Sequence, residues 1–170
     1  ASFYKSINSV KNGFIRTESD ELHYNLHILL RYRLEKWLID GQLSAKDLEY
    51  VWNEEFEKDF GLAIKYPSDG VLQDVHWSEG LFGYFPTYAL GNVYAGCLFE
   101  AMQNQLPSLN KNLKIGNLSE ATEWLSCSVH QHGSLYSPIE LIRDASGFEL
   151  TAKPLISYIE KKYSTIYCLG

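Results

Sequence analysis

The chain has 170 residues, which is long enough to bury a core without disulfide or metal staples. Fifteen Lys and Arg residues against 21 Asp and Glu residues give a net charge of −6. This balance excludes binding that depends on neutralising phosphates or on coating an anionic membrane surface, so we expect neither a nucleic acid nor a membrane partner. With 45% hydrophobic and 21% charged residues, the composition is that of a globular domain.

The cysteines and the N-terminal sequence bear on the cellular location of the protein. Cys97, Cys127 and Cys168 are odd in number and form no C-x-x-C pair, so neither a disulfide framework nor a thiolate zinc site is indicated. A reducing, cytoplasmic location is expected, because there is also no signal pattern and no apolar run of about 18 residues. The chain opens with Ala1, and Met102 is its only methionine. Loss of an initiator methionine and a start inside a longer protein would both explain this.

All of the predicted elements are helices. No segment alternates with a period of two, and no repeat or low-complexity tract interrupts the chain. The expected fold is therefore all-α, a single helical segment over residues 1–170. Residues 1–9 are predicted to be the end of a helix. Further helices are predicted over residues 17–39, 44–60, 86–105, 119–130, 138–145 and 152–163.

The helix over 17–39 is apolar on almost every side, which indicates burial in a larger helical body. At 100° per residue, a set of its polar residues falls within an arc of roughly 80°. Buried polar groups need partners, so this stripe should face either a polar cleft or an internal network of salt bridges, and the sequence leaves both open. The stripe consists of Arg16, Asp20, His23, His27 and Arg31.

The histidines of the stripe have the i, i+4 spacing of a helical zinc site. Tyr24 stands where the metallopeptidase motif H-E-x-x-H has its general base, and no third ligand is indicated. A structural role for His23 and His27 is therefore favoured over a metal site. His130 and His132 end a later helix, where imidazoles favour the negative end of the dipole.

The loop over residues 61–83 carries the second set of candidate residues. Gln73, Asp74, His76 and Trp77 bring an amide, a carboxylate, an imidazole and an indole together within five residues. Such a group can place a hydrogen-bond donor at a developing oxyanion, although the same side chains also serve as helix caps. The sequence contains no G-x-S-x-G motif, no phosphate-binding loop and no cysteine nucleophile signature.

Several of these segments resemble one family, the carboxypeptidase Taq metallocarboxypeptidases. Residues 15–20, I-R-T-E-S-D, are similar to its I-R-x-x-A-D motif, with Ser19 in place of alanine. Residues 70–77, G-V-L-Q-D-V-H-W, match its G-x-x-Q-D-x-H-W motif in full, and residues 83–92 resemble the block that follows. Gly96 and Cys97 depart from the commoner alanine and glutamine. The resemblance continues through residues 140–143 and Tyr158.

The resemblance implies the C-terminal portion of a large, helical, saddle-like and dimeric enzyme. Such enzymes remove C-terminal amino acids from peptides with zinc or a similar divalent metal. The metal ligands belong to H-E-x-x-H and H-E-S/G-Q motifs, which precede the I-R-x-x-A-D block and are absent from these 170 residues. No metal ligand is therefore expected in this chain, which alone should be inactive. Its expected partners are a peptide substrate, the N-terminal portion and a second copy.

The resemblance also assigns roles to particular residues. Arg16 matches the motif arginine and is expected to bind the terminal carboxylate of the substrate, for which a guanidinium group is suited. Asp20 is expected to hold that arginine, and Arg31 is a second candidate for the carboxylate. A non-catalytic helical interaction module derived from such an enzyme is the alternative.

The other assigned roles belong to the loop and to the block after it. Gln73 and His76 are the candidate catalytic residues, with His76 donating a hydrogen bond to the tetrahedral intermediate. Asp74 and Trp77 are expected to support His76 in the substrate pocket. Tyr84 and Tyr88 are expected to line the substrate groove.

Overall fold

The structure, a computed structural model, describes residues 2–169, except for the side chain of Ser2. Within this range all regular structure is helical and there is no strand, which confirms the predicted all-α class. Three short 3-10 helices cover Arg16–Glu18, Pro67–Asp69 and His130–His132. The α-helices are α1 (Ser2–Ile7), α2 (Glu21–Ile39), α3 (Leu48–Phe60), α4 (Phe85–Gln105), α5 (Leu109–Lys114), α6 (Ser119–Ser128), α7 (Pro138–Ser146) and α8 (Lys153–Tyr167).

The beginning of α2 differs from the sequence prediction, which placed it near Thr17. The carboxylate of Asp20 accepts hydrogen bonds from the backbone N–H groups of Leu22 and His23, so the helix begins at Glu21. Arg16 consequently lies outside α2, and Asp20 is its N-cap. The predicted stripe is therefore wrong at its first two positions.

Other elements also differ from the sequence prediction, and α3, predicted from residue 44, begins at Leu48. The structure adds α5, which the sequence pattern did not predict because Leu106-Pro107 indicated a helix end and the following residues are mainly polar. Leu109 is buried, and tertiary burial of this kind stabilises a helix too short to form alone. The last helix, α8, also continues past residue 163 to Tyr167.

The chain divides into two compact units, residues 1–90 and 91–170, and the division falls inside α4. In the first unit, α2 and α3 pack through a cluster of aliphatic and aromatic side chains. Arg33 on α2 adds ion pairs to Glu55 (2.8 Å) and Asp59 (2.7 Å) on α3. The buried members of the cluster are Leu30, Leu34, Leu43, Trp52, Phe56 and Phe60.

The second unit has its own core, and one glycine sets the spacing of two of its helices. A Cβ atom at Gly96 on α4 would lie 2.8 Å from the backbone nitrogen of Leu155 on α8. Only glycine allows this approach, which accounts for one departure from the family pattern. The buried members of the core are Ala101, Met102, Leu109, Trp124 and Ala145.

The surface of α2 is apolar on the side away from the first core. Leu29 is 54% exposed and Ile39 is 68% exposed, and Leu26 and Tyr32 are exposed beside them. This agrees with the expectation that the helix has apolar surface for a further partner. None of the helices within residues 2–169 is both long and apolar enough to cross a bilayer.

Candidate functional site

Asp74 lies at the centre of a buried group of charges in the first unit. Its Oδ1 accepts hydrogen bonds from Nη2 (2.6 Å) and Nε (3.1 Å) of Arg16. Its Oδ2 accepts a hydrogen bond from Nε of Arg31 (2.6 Å), and Nη2 of Arg31 lies at the same distance. One carboxylate therefore joins the two arginines that the sequence singled out.

The two arginines differ in what solvent can reach. Arg31 is fully buried, and its Nη1 donates a hydrogen bond to the carbonyl of His27. Arg16 retains 6% exposure, and its Nη1 donates to the hydroxyl of Tyr24 (3.1 Å). These contacts leave some of the five N–H donors of Arg16 free, and Arg16 is the arginine at the edge of the group.

The electrostatics of this group favour an anion. Burial would raise the pKa of Asp74, but the hydrogen bonds and charges of Arg16 and Arg31 lower that pKa below its ordinary value. Burial lowers the pKa of Arg31 to about 10, so this side chain stays charged at neutral pH. Two guanidinium groups and one carboxylate leave one positive charge without a counter-ion in this cluster.

Gln73 holds the chain segment that carries Arg16. Its Oε1 accepts a hydrogen bond from the backbone N–H of Arg16 (2.9 Å), and its Nε2 donates to the carbonyls of Phe14 (3.0 Å) and Asp69 (3.1 Å). All of these bonds go to the backbone. Gln73 therefore fixes the position of Arg16 relative to the loop.

His76 lies on the other side of Asp74. Its Nε2 is 3.0 Å from the hydroxyl of Tyr88, whereas its Nδ1 is 3.9 Å from Oδ1 of Asp74 and makes no hydrogen bond. Its ring packs against Phe85, with the ring centroids 4.3 Å apart, and against Tyr84 at 5.7 Å. The imidazole thus packs against aromatic rings, and its Nε2 is hydrogen-bonded to Tyr88.

Aromatic side chains form the floor and one side of the site. Phe85 is buried, and its ring lies 5.8 Å from the guanidinium carbon of Arg16 and 5.4 Å from that of Arg31. The guanidinium carbon of Arg16 lies 5.1 Å from the ring centroid of Tyr88. The rings of Trp77 and Phe85 are perpendicular, with their centroids 5.8 Å apart. Cations over aromatic faces gain further stabilisation when solvent is excluded.

Asp20 does not hold Arg16 in the structure, contrary to the sequence prediction. Its carboxylate caps α2, accepts a hydrogen bond from the backbone N–H of Lys11, and lies 2.8 Å from Nδ1 of His23. Burial raises the pKa of Asp20, yet the hydrogen bonds from His23 and Lys11 bring it below the ordinary value. Asp74 takes the role expected of Asp20. The hydroxyl of Ser19, which replaces the motif alanine, donates a hydrogen bond to the carbonyl of Arg16 (2.7 Å).

The remaining helical histidine does not form a metal site with His23. His27 has no exposed surface, its ring packs on Phe56 and Phe60, and neither of its nitrogens has a hydrogen-bond partner. Across the described part of the chain, no three His, Cys, Asp or Glu side chains are grouped so that they could hold a metal. The residues present therefore do not fit a catalytic metal.

Tyr24 and Phe85 were missed as site residues. Tyr24 follows His23 and stands where the H-E-x-x-H motif has its glutamate, so the motif indicated no role for it. Phe85 comes just before a proline at the start of a helix, so it had the pattern of an ordinary core residue. The signal available for Tyr24 was its spacing of seven residues, about two helical turns, from Arg31 on the same helix.

Comparisons with known proteins show the family of the chain. Residues 1–163 match the carboxypeptidase Taq (M32) metallopeptidase family. The chain is 42% identical to carboxypeptidase 1 of Bacillus subtilis over 98% of its own length, and 42% identical to thermostable carboxypeptidase 1 of Thermus thermophilus over 97%. The crystal structure of the M32 carboxypeptidase from Deinococcus radiodurans R1 matches 98% of the chain with a TM-score of 0.95 and 37% identity.

The helical fold and these likenesses place the chain in a family of metallopeptidases. The chain belongs to the carboxypeptidase Taq (M32) family. It spans about a third of the relatives it matches: 33% of the Bacillus protein, 32% of the Thermus protein and 34% of the Deinococcus chain.

Proposed function

We propose that this chain supplies the carboxylate-binding wall of an enzyme that hydrolyses C-terminal amino acids from peptides. The observation that carries the proposal is the pair of guanidinium groups that share Asp74. Their excess positive charge suits the terminal carboxylate, the one feature common to every substrate of a carboxypeptidase. Arg16, at the edge of the group, binds that carboxylate, while the fully buried Arg31 holds Asp74 in place.

His76 acts beside the carboxylate site. The hydrogen bond between Nε2 and the hydroxyl of Tyr88 orients its imidazole, whereas Nδ1 lies 3.9 Å from Asp74 and makes no hydrogen bond. We propose that His76 donates a hydrogen bond to the oxygen that becomes negative as the peptide carbonyl is attacked. Gln73 is a positioning residue, because its hydrogen bonds all go to the backbone around Arg16. The aromatic rings of Tyr84 and Trp77 line the groove.

In the complete enzyme, water activation would come from a divalent metal, for which we propose zinc. Its ligands lie in a preceding N-terminal portion that binds the exposed apolar side of α2. We further propose a homodimeric enzyme in a reducing, cytoplasmic compartment, in keeping with free cysteines at Cys97, Cys127 and Cys168. The isolated 170-residue chain then hydrolyses no peptide.

The alternative is a helical interaction module without chemistry. Such a module would have no use for the excess positive charge of Arg16 and Arg31. A buried charge without a counter-ion costs free energy that a purely structural role does not recover. The charge of the Asp74 group therefore favours the enzymatic proposal.

Binding of a carboxylate probe tests the proposal on this chain. N-acetylphenylalanine and its C-terminal amide would be titrated into the protein, its Arg16→Gln variant and an Arg33→Gln control on α2. We expect the carboxylate to bind about tenfold more tightly than the amide, as charge-assisted hydrogen bonds predict. The preference should disappear in Arg16→Gln and persist in Arg33→Gln. Equal binding of both probes by the unaltered protein would contradict the proposal.

A further inference from the structure

A buried acidic side chain outside the site described so far lies on the same face of α2 as Arg31. Glu35 follows Arg31 by one helical turn and is only 4% exposed. Its Oε1 accepts a hydrogen bond from the backbone N–H of Gly83, and its Oε2 is buried without a hydrogen-bond partner. In the described part of the chain no cation forms an ion pair with it. Burying a carboxylate without a counter-ion costs free energy, so the presence of Glu35 at this position needs a reason.

The bond fixes a turn next to the site. Gly83 has a φ of +80°, a left-handed conformation that favours glycine, and α4 begins two residues later at Phe85. Tyr84 lies between them, with its ring 5.7 Å from that of His76 and 5.5 Å from that of Tyr88. The position of the Gly83 backbone therefore determines where the rings around His76 stand.

The same helix also holds the other end of the loop. Arg31 binds Asp74, and Glu35 binds Gly83, so α2 fixes the chain on both sides of the segment that carries His76 and Trp77. Fixing both ends of a loop reduces the number of conformations it can adopt. A loop held at Asp74 alone would leave Tyr84 and the start of α4 free to shift.

We propose that Glu35 is a positioning residue, whose carboxylate orders the turn at Gly83 and thereby places Tyr84 and Tyr88 against His76. Its action on the turn stands independently of any chemistry. Its consequence for catalysis rests on the proposed function of His76.

The test compares two substitutions of Glu35 that differ in one property. Glu35→Gln keeps an oxygen that can accept the Gly83 hydrogen bond. Glu35→Leu fills a similar volume without an acceptor, and Glu35→Ala serves the same purpose if leucine prevents folding. Ile28→Val is the control, because it removes one methylene from another buried residue of α2 at a cost of about 1 kcal/mol. Circular dichroism establishes that each variant is folded.

NMR of the chain gives the first measurement. In Glu35→Leu, the Gly83 amide should exchange with solvent faster by about tenfold or more, because a local opening has become easier. The cross-peaks between the rings of His76 and Tyr84 should weaken to less than half. Both signals should persist in Glu35→Gln and in Ile28→Val. Unchanged signals in Glu35→Leu, or the same loss in Ile28→Val, would overturn the proposal.

Kinetics of the complete enzyme give the second measurement. Glu35→Leu should lower kcat by about tenfold with little change in KM, and should lower it no further when His76→Ala is already present, since the two act through one group. If the NMR signals change while kcat does not, the positioning by Glu35 stands and the catalytic role of His76 fails. Equal losses of kcat with and without His76 would instead contradict the action of Glu35 through His76.

Discussion

Asp74 shows how a single side chain can organise a site. Its two oxygens serve different arginines, Arg16 from the segment before α2 and Arg31 from α2 itself. The sequence placed the arginines on one helix and the aspartate in a distant loop, so only folding brings them together. The loss of this carboxylate would leave two buried cations facing each other.

We therefore expect Asp74→Asn to destabilise the protein strongly. Removing one partner of a buried charge group typically costs about 3–5 kcal/mol, since the remaining charge stays buried and unpaired. Asp59→Asn is the matched control, because its partner Arg33 also pairs with Glu55 and lies nearer the surface, where about 1 kcal/mol or less is expected. Denaturant unfolding measures both. Similar small losses in the two variants would mean that Asp74 is not the centre of the group.

His27 should make the protein sensitive to acid. Burial, helped by the charge of Arg31 and the other cations near it, lowers the pKa of His27 to about 4, from 6.5 in an unfolded chain. The unfolded state thus binds more protons between these values, so stability falls as the pH drops from 6.5 towards 4. A shift of this size corresponds to about 3 kcal/mol at most.

The comparison of wild type with His27→Leu at pH 7 and pH 4.5 measures this contribution. The variant should lose less stability over that range, because leucine does not titrate. The lowered pKa of Asp74 does not obscure the result, since its contribution is present above the ordinary value of 3.8 and is lost only below it. An equal loss in both proteins would contradict the account of His27.

At the scale of the elements, the sequence predicted the helical class and most of the helices but not the details at their ends. The helix over 17–39 failed at its start because its periodicity continues upstream, whereas Asp20 uses its side chain to cap the backbone at Glu21. The family motifs identified Arg16, Asp74 and His76 without saying which contacts which. Capping and pairing depend on groups that meet only in the folded chain, which is why periodicity alone could not decide them.

The approach of α8 to α4 depends on Gly96. Gly96→Ala would place a Cβ atom 2.8 Å from the backbone nitrogen of Leu155, and a backbone neighbour cannot rotate away. Overpacking of this kind typically costs about 1–3 kcal/mol, even though alanine favours a helix more than glycine does. Gly91→Ala, on the same helix with open space around it, is the control and should be neutral or stabilising. Thermal unfolding distinguishes the two. An increase in Tm for Gly96→Ala would contradict the close packing.

At the scale of the whole molecule, the exposed apolar side of α2 is the chief feature left without a partner in the described structure. We expect the isolated chain to self-associate, because association removes an exposed apolar patch from water. Leu29→Lys, in the middle of this surface, should shift the population towards monomer in sedimentation velocity, whereas Tyr50→Lys, exposed on α3, should not. A monodisperse monomer at high concentration would contradict this expectation.

The central claim is that Arg16 binds the carboxylate of the substrate while His76 acts on the carbonyl, and the kinetics of the metal-loaded complete enzyme test it most directly. Arg16→Ala should raise KM and erode discrimination against C-terminally amidated peptides, because the lost bonds act on the ground and transition states alike. His76→Ala should lower kcat by about a hundredfold with little change in KM, as expected of an interaction made in the transition state. A normal kcat in folded His76→Ala, or intact carboxylate discrimination in folded Arg16→Ala, would contradict the account.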